Sequence, residues 1–430
     1  MPDNPYAAPA AEPANSPSPS SRGSLAVIFL AVFIDLLGFG LVIPLLPLYA
    51  RQYTADSTGL TIGLLMASFS AMQFLFAPLW GRLSDRIGRR PVLMAGLAGS
   101  VLFYGLFGVA TIYKSLAWLF IARIGAGIAG ATISTAQAYI ADTTTLENRV
   151  KGMALIGAAF GLGFTFGPLL GALAVPDGLG DPGPGPGFLA AGLSAFALAL
   201  AYFKLPESLK PGSESAGRKV FDAAALSEAM RIPSMIPLML GLFVCIFSFA
   251  NFETTLSLLI KDENGAFHMT FREVCYTYAF IGVMLTIAQG LLVRRLSKRV
   301  SEGPLAVTGA VIEVLGFVLL ILATRQGSPW LLFFALLVLV CGFAMITPSL
   351  NSLISRRTDP ARQGGILGLS QSISALARIV GPIVGIPLMH IDSTLPAWLA
   401  AGMMLIGVGL VVIAWKAGRD FVEPASTRAT

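Results

Sequence analysis

The sequence predicts an all-α membrane protein of twelve transmembrane helices, arranged as two pseudo-symmetric six-helix bundles. Three observations carry that expectation. The 430-residue chain is 55% hydrophobic and only 12% charged, too apolar for a water-soluble fold of this size. Apolar runs of about 20 residues recur along it, each long enough to cross ~30 Å of hydrocarbon as a helix. Landmarks of the first half also return in order in the second. Gly81–Pro91, GRLSDRIGRRP, is echoed by Arg294–Pro304, RRLSKRVSEGP, with Leu83, Ser84, Arg86 and Pro91 opposite Leu296, Ser297, Arg299 and Pro304. Gly167-Pro168-x-x-Gly171 returns as Gly381-Pro382-x-x-Gly385, and Trp118 as Trp330, at offsets of 212 to 214 residues. Ordered repetition of this kind means two halves built on one plan.

The spans are expected at 25–50, 60–80, 91–113, 116–141, 152–175, 188–204, 233–260, 273–293, 304–323, 330–354, 365–389 and 397–416. Glycine and proline fall inside several of them, which spanning helices tolerate because neighbours re-satisfy the freed backbone groups. Sidedness follows from the basic residues. Of 29 Lys and Arg, 22 fall on the side that holds both termini and five (Arg51, Lys114, Lys261, Arg272, Arg325) on the other. The remaining two, Arg123 and Arg378, lie inside spans. The positive-inside rule then places both termini in the cytoplasm of a multi-pass cell-membrane protein. Residues 1–24, rich in Pro, Ala and Ser, are expected to be a disordered tail. They lack the basic segment of a signal peptide. Residues 25–204 form the N-terminal bundle, 205–232 a cytoplasmic linker with a short surface helix at 221–230, 233–416 the C-terminal bundle and 417–430 a cytoplasmic tail.

Several function classes drop out. The net charge of +6 is dispersed over short loops, as topology requires, so it indicates no nucleic-acid partner. Cys245, Cys275 and Cys341 lie in or at the ends of spans and suggest no disulfide framework. His268 and His390 have no metal-ligand spacing, and no glycine-rich loop follows a strand. Neither an enzyme, a metal, a cofactor nor ATP is implied.

Ionisable groups inside the membrane are costly and are functional candidates by default. Asp35 lies about ten residues into span 1, ~15 Å from the cytoplasmic surface, and Arg123 in span 4 lies ~20 Å from it. In span 4, Arg123, Gly127, Gly130, Ser134 and Gln137 share one helical face, as do Gln371, Ser374, Arg378, Gly381 and Gly385 in span 11. Each stripe reads equally as a cavity wall or as interhelical glue. Asn251 and Glu253, two residues apart in span 7, point opposite ways, and Glu253 is the better candidate for a second acidic site. In span 5, Gly163, Gly167 and Gly171 let another helix approach, and Pro168 bends the span. Gly381, Pro382 and Gly385 repeat this in span 11, which suits a sliding contact between halves. Between spans 2 and 3, Gly81 and Gly88 permit a tight turn, and Asp85 sits amid four arginines. Asp85 is expected to face the partly positive start of span 11 at Gly364-Gly365, with Arg86 bridging to Asp142. Gly81, Asp85, Arg86, Gly88, Arg89 and Asp142 would then latch the halves on the cytoplasmic side, although positive-inside anchoring accounts for Arg89 and Arg90 as well.

Four motifs now stand in order: DLLGFGLVIPLLP (Asp35–Pro47), GRLSDRIGRRP (Gly81–Pro91), LFIARIGAGIAGAT (Leu119–Thr132) and GFTFGPLLGA (Gly163–Ala172). Together they resemble the major facilitator superfamily, in its twelve-span drug:proton antiporter branch and most closely the tetracycline-efflux type. The resemblance spans residues 25–416. Two positions depart from the family pattern, Ala126 in place of Gln and Ala172 in place of Gly. The resemblance implies the major facilitator fold, with spans 1 and 4 adjoining so that Asp35 and Arg123 pair or share a water. Burial against a nearby arginine makes Asp35 the leading proton-coupling site with Arg123 its tuner, a structural ion pair without a role in turnover being the alternative. Span 9 becomes peripheral, so Glu313 is expected to be paired or half-exposed. Ser134, Gln137, Asn251, Glu253, Gln371 and Arg378 would line the cavity. The implied activity is proton-coupled export of amphipathic, tetracycline-like small molecules by a monomer in the bilayer. A metabolite importer or symporter on the same fold is the alternative, and a non-transporting receptor or scaffold is an alternative of another class.

Overall fold

The computed structural model describes residues 19–54, 56–144, 146–176, 181–209, 232, 234–262, 265–358 and 363–418. Twelve helices in it are long and apolar enough to cross a membrane. Span 1 runs from Pro19 to Val42 and, after a turn, continues as Leu46–Tyr53. Spans 2 to 6 are Leu60–Ile87, Arg89–Ile112, Leu116–Gly130 with Ile133–Thr143, Leu146–Ala174 and Gly185–Lys204. Spans 7 and 8 are Met235–Lys261 and Phe271–Ile287, the latter passing through π-helical Ala288–Val293 to Leu296. Spans 9 to 12 are Glu302–Gln326, Pro329–Arg356, Gln363–Ile391 and Leu395–Ala417. Every expected span is present in its expected order. Span 1 begins inside the stretch read as a tail. The rest of that tail, the surface helix at 221–230 and nearly all of the C-terminal tail lie outside the described residues.

Each half is sealed by backbone-to-backbone contact at glycine. A Cβ on Gly40 of span 1 would lie 2.6 Å from the Gly163 carbonyl oxygen, and one on Gly167 would lie 2.8 Å from Gly40 Cα. In the other half, a Cβ on Gly381 would meet Asn251 N at 3.0 Å and Ala250 Cβ at 3.1 Å. Only a residue without a side chain permits such approach. The glycine stripes of spans 5 and 11 therefore bind spans 1 and 7 of their own halves. Gly163, Gly167, Gly381 and Gly385 are thus not the sliding surface between halves that the repeat suggested, whereas Gly171 looks across, its Cβ position 3.4 Å from Cys275 Sγ of span 8.

Two other glycines carry the contact between halves. Gly282 of span 8 receives span 5, with a Cβ there lying 2.6 Å from Phe164 O and from Thr165 Cα. Gly63 of span 2 receives span 11, at 2.8 Å from Pro382 O and 3.1 Å from Ile383 Cα. Thr165 and Thr286 meet beside the first crossing, with their hydroxyls 3.3 Å apart.

From these crossings the halves stay together toward the arginine-poor face. Arg51 pairs with Asp262 at 2.8 Å. Arg272 donates to the carbonyls of Ala172 at 3.2 Å and Val175 at 3.5 Å, where the partly negative C-terminus of span 5 favours a cation. Toward the basic face the halves part. Gly161 still faces Thr286, at 3.7 Å from its Cβ position, but Gly157 one turn further on meets nothing within 4 Å. Gly368, fourteen residues before Pro382 and on nearly the same side of span 11, likewise meets nothing within 4 Å. Arg378 and Gln371 on that stripe are exposed. Among the described residues, then, contact between the halves holds on the arginine-poor face and lapses at Gly157 and Gly368 toward the basic one.

The shut face generates a prediction. Cys275 is buried against Gly171 of the opposite half, so it reports opening there. In a Cys341→Ser background, Arg51→Ala should raise the rate at which a water-soluble maleimide labels Cys275 by roughly 1.4- to fivefold, the range an exposed ion pair of about 0.2–1 kcal/mol supports. Asp262→Ala should give the same rise and the double variant no more. An unchanged labelling rate would show that this ion pair does not hold the face closed.

Candidate functional site

On the basic face, the turn between spans 2 and 3 is organised by Arg89. Gly88 has φ +106°, a conformation that favours glycine, and it turns the chain so that Arg89 points back beneath span 2. The Arg89 guanidinium bonds to Asp85, to the Ser84 hydroxyl at 2.7 Å and to Asp142 of span 4 at 3.0 Å. Glu207, just beyond span 6, accepts the backbone N–H of Arg89 at 2.9 Å and that of Arg90 at 3.1 Å, capping the start of span 3. The partner of Asp142 is thus Arg89 and not Arg86, which is exposed. Arg89 is also no loose topological anchor: it is 7% exposed. All of these contacts are within one half. The surroundings of Gly364 and Gly365, the expected counterpart of Asp85, lie outside the described residues. Gly81 sits in looser packing, its Cβ position meeting only Ser134 Oγ, at 3.9 Å.

The second half answers with the charges exchanged. Glu302 at the start of span 9 pairs with Arg356 at the end of span 10 at 2.9 Å, at offsets of 213 and 214 residues from Arg89 and Asp142. Sequence reasoning aligned the motif but missed this pair. Its signal was an acid and a base at repeat-equivalent positions with signs reversed.

Within the membrane, Asp35 is partly exposed and faces the hydroxyls of Ser100 in span 3 and Ser194 in span 6, and its Oδ1 has no hydrogen-bond partner. Arg123 is 3% exposed, and its Cζ lies 4.5 Å above the Phe69 ring and 6.0 Å from that of Phe39. Its Nε and Nη1 have no partner. Among the described residues Asp35 and Arg123 form no ion pair. Tyr104 of span 3 feels both charges, so an aromatic side chain faces the two groups where direct contact was expected.

The span 4 stripe resolves as glue. A Cβ on Gly127 would meet Phe69 O at 2.6 Å, Gln73 donates to Gly130 O at 3.3 Å, Trp80 to Ile128 O at 2.7 Å and Ser134 to Ala77 O at 3.2 Å. Ser134 is therefore spent on the seam between spans 2 and 4, whereas Gln137, nearly two turns before the end of span 4, is exposed. Asn251 also leaves the cavity set. It is fully buried and donates to Pro396 O of span 12 at 2.8 Å. Glu313 is neither paired nor half-exposed: it is 0% exposed, its Oε1 has no partner, and Cys245 Sγ lies 3.9 Å from Oε2. Span 9 is peripheral, but this face of it looks inward onto spans 7 and 10.

Glu253 and Arg378 remain. Glu253 is partly exposed and Arg378 exposed, and each is the charged neighbour of the other. No ion pair joins them among the described residues. Arg378 lies one turn before Pro382, on the basic side of the crossing with Gly63.

Two helical bundles of six spans each, joined at glycine crossings, with ionisable groups at membrane depth, define a class: the two-halved membrane transporters that move small molecules by alternating access. The comparisons with known proteins agree. Residues 28–382 match the model of the Major Facilitator Superfamily. The class C tetracycline resistance protein of Escherichia coli is 32% identical over 367 residues, covering 85% of this chain and 89% of that protein. The crystal structure of the human organic anion transporter MFSD10 superposes with a TM-score of 0.68 at 27% identity, covering 92% of this chain and all of that one. A bacterial homologue of the human lysosomal transporter Spinster, inward-facing and unoccupied, superposes with a TM-score of 0.77 over 96% of this chain at 12% identity and shares the fold. This chain belongs to the major facilitator superfamily.

The clamp separates two neighbouring arginines. Arg89→Ala leaves Asp85 and Asp142 facing each other without a cation and should lower unfolding stability in detergent by about 1–3 kcal/mol, discounted because both carboxylates are about a third exposed. Arg86→Ala should stay within about 0.5 kcal/mol of the parent. Equal thermal shifts for the two variants would contradict the assignment.

Proposed function

We propose that this protein exports amphipathic small molecules, tetracycline-like compounds first among them, in exchange for protons. It works as a monomer in the cell membrane, with both termini and the basic face in the cytoplasm. The state described is then inward-open, ready to take cargo from the cytoplasm.

The observation that carries the proton coupling is Asp35: a partly exposed residue at membrane depth whose carboxylate has one buried, unpartnered oxygen and, among the described residues, no counter-ion in contact. Charge in that position is costly, and a proton removes it. The hydroxyls of Ser100 and Ser194 can donate to the carboxylate when it is charged. Arg123, held on the Phe69 ring with spare donors, supplies positive field without sealing the acid in a salt bridge. Protonation from outside in the outward-open state releases cargo. Loss of the proton to the cytoplasm in the inward-open state readies the protein for the next molecule. The exchange is electrically and sterically coupled because one body carries both events.

The similarity to the tetracycline resistance proteins supports the direction of transport and the cargo class. Similarity to an organic anion transporter, together with two arginines inside the spans, favours organic-anion transport as a second reading. Proteoliposomes distinguish coupling from binding. Asp35→Asn should abolish tetracycline flux driven by an imposed pH gradient while retaining exchange of labelled for unlabelled tetracycline. Full proton-driven flux in that variant would remove Asp35 from the mechanism.

A further inference from the structure

We propose that Glu253 and Arg378 form a two-charge recognition site that selects a zwitterionic amphiphile, with the cationic group of the ligand on Glu253 and the anionic group on Arg378. The physiological meaning of the site rests on the transport reading above, but its chemistry can be tested by binding alone.

Position is the first support. Pro382 of span 11 crosses Gly63 of the other half, with its carbonyl oxygen 2.8 Å from the Gly63 Cβ position. Arg378 and Gln371 precede Pro382 by four and eleven residues, so they lie on the same side of the helix and enter the hollow where the halves separate. Both are exposed there. Glu253 comes from span 7, and the seam between spans 7 and 11 sets its spacing from Arg378. A Cβ on Gly381 would lie 3.0 Å from Asn251 N, and Asn251 itself is held by Pro396 of span 12. Two residues along the same stretch of span 7, Glu253 is thereby placed facing away from the seam's buried Asn251.

Electrostatics is the second. Each group is the charged neighbour of the other, yet among the described residues they do not close into an ion pair. In a low-dielectric interior an open pair of opposite charges attracts strongly, and a purely structural pair would shut. Held apart at the head of a hollow, the two charges leave room for a ligand to complete both contacts. The sign balance then decides the ligand class. The empty site is neutral overall, and a zwitterion leaves it neutral. A singly charged ligand would leave one side chain unmatched and add a net charge at membrane depth. Apolar complementarity is at hand one turn away, where Phe249 stacks on Phe343 of span 10 with ring centroids 3.8 Å apart.

The experiment uses the full-length protein purified in detergent, with tetracycline near neutral pH as the zwitterionic probe, ethidium as a permanent cation and fluorescein as an anion. Binding is followed by fluorescence. The parent should bind tetracycline more tightly than either single-charge probe. Glu253→Gln and Arg378→Gln should each weaken tetracycline about tenfold or more, the first favouring fluorescein and the second ethidium. The exchange Glu253→Arg with Arg378→Glu should recover most of the tetracycline affinity. Glu253→Asp and Arg378→Lys, which keep the signs, should keep the order of preference and serve where a neutral variant fails to fold. If only Arg378→Gln matters, the site is an anion site and the proposal falls; if neither matters, or the parent prefers a single-charge probe, it falls as well. Binding that follows these rules in a protein whose proteoliposomes move no tetracycline under a pH gradient would overturn the transport reading and leave the recognition site standing.

Discussion

Two points of backbone contact govern this molecule. At Gly63 and at Gly282 a helix of one half lies against the bare backbone of the other, closer than any side chain would permit. In lipid, apolar side chains gain little by leaving the bilayer for each other, so close packing at small residues is what joins helices. Beyond these points, contact between the halves differs from one face to the other. Toward one face, polar contacts at Arg51 and Arg272 hold the halves together, and toward the other, among the described residues, Gly157 and Gly368 meet no neighbour. A fulcrum with weak contacts beyond it is what rocking between two states requires.

Rocking also requires that each half move as one piece. The seams of span 1 with span 5 and span 7 with span 11 supply stiffness through the membrane. At the basic face it comes from charge: Arg89 ties spans 2, 3 and 4 together, and Glu302 with Arg356 ties span 9 to span 10. The reversal of sign between the halves is physically neutral for clamping, since an ion pair works in either direction. It is not neutral for the field at the mouth of the hollow, where one half presents its acids on span 2 and span 4 and the other on span 9.

The charges inside the membrane meet their desolvation in different ways. Arg123 lies on an aromatic face, where the ring quadrupole replaces part of its hydration. Asp35 and Arg378 keep access to open space, and Glu313 is enclosed with a thiol and no cation. Those that keep access are the ones that the proposed proton exchange and ligand recognition use. The enclosed one is positioned to hold spans 7, 9 and 10 in register.

Much of this was legible in the sequence. Span count and order, the two-fold repeat and the family follow from apolar run length and from glycine, proline and charge at fixed offsets, because hydrocarbon thickness and backbone satisfaction leave few alternatives. Periodicity also separated Asn251 from Glu253, since two residues along a helix turn a side chain most of the way round. What sequence could not assign was the partner of each face. The stripe Arg123 to Ser134 is equally polar against water or against span 2, and only the packing of span 2 decided for the seam. Arg86 and Arg89 carry the same charge three residues apart, and the turn at Gly88 alone determined which one reaches Asp142. Glycines at Gly163 and Gly167 announced close approach but not to which helix. The sequence by itself determined what crosses the membrane and how often; tertiary structure decided which side chains meet, because contact depends on the rotation of each helix about its axis relative to neighbours that are distant in the chain.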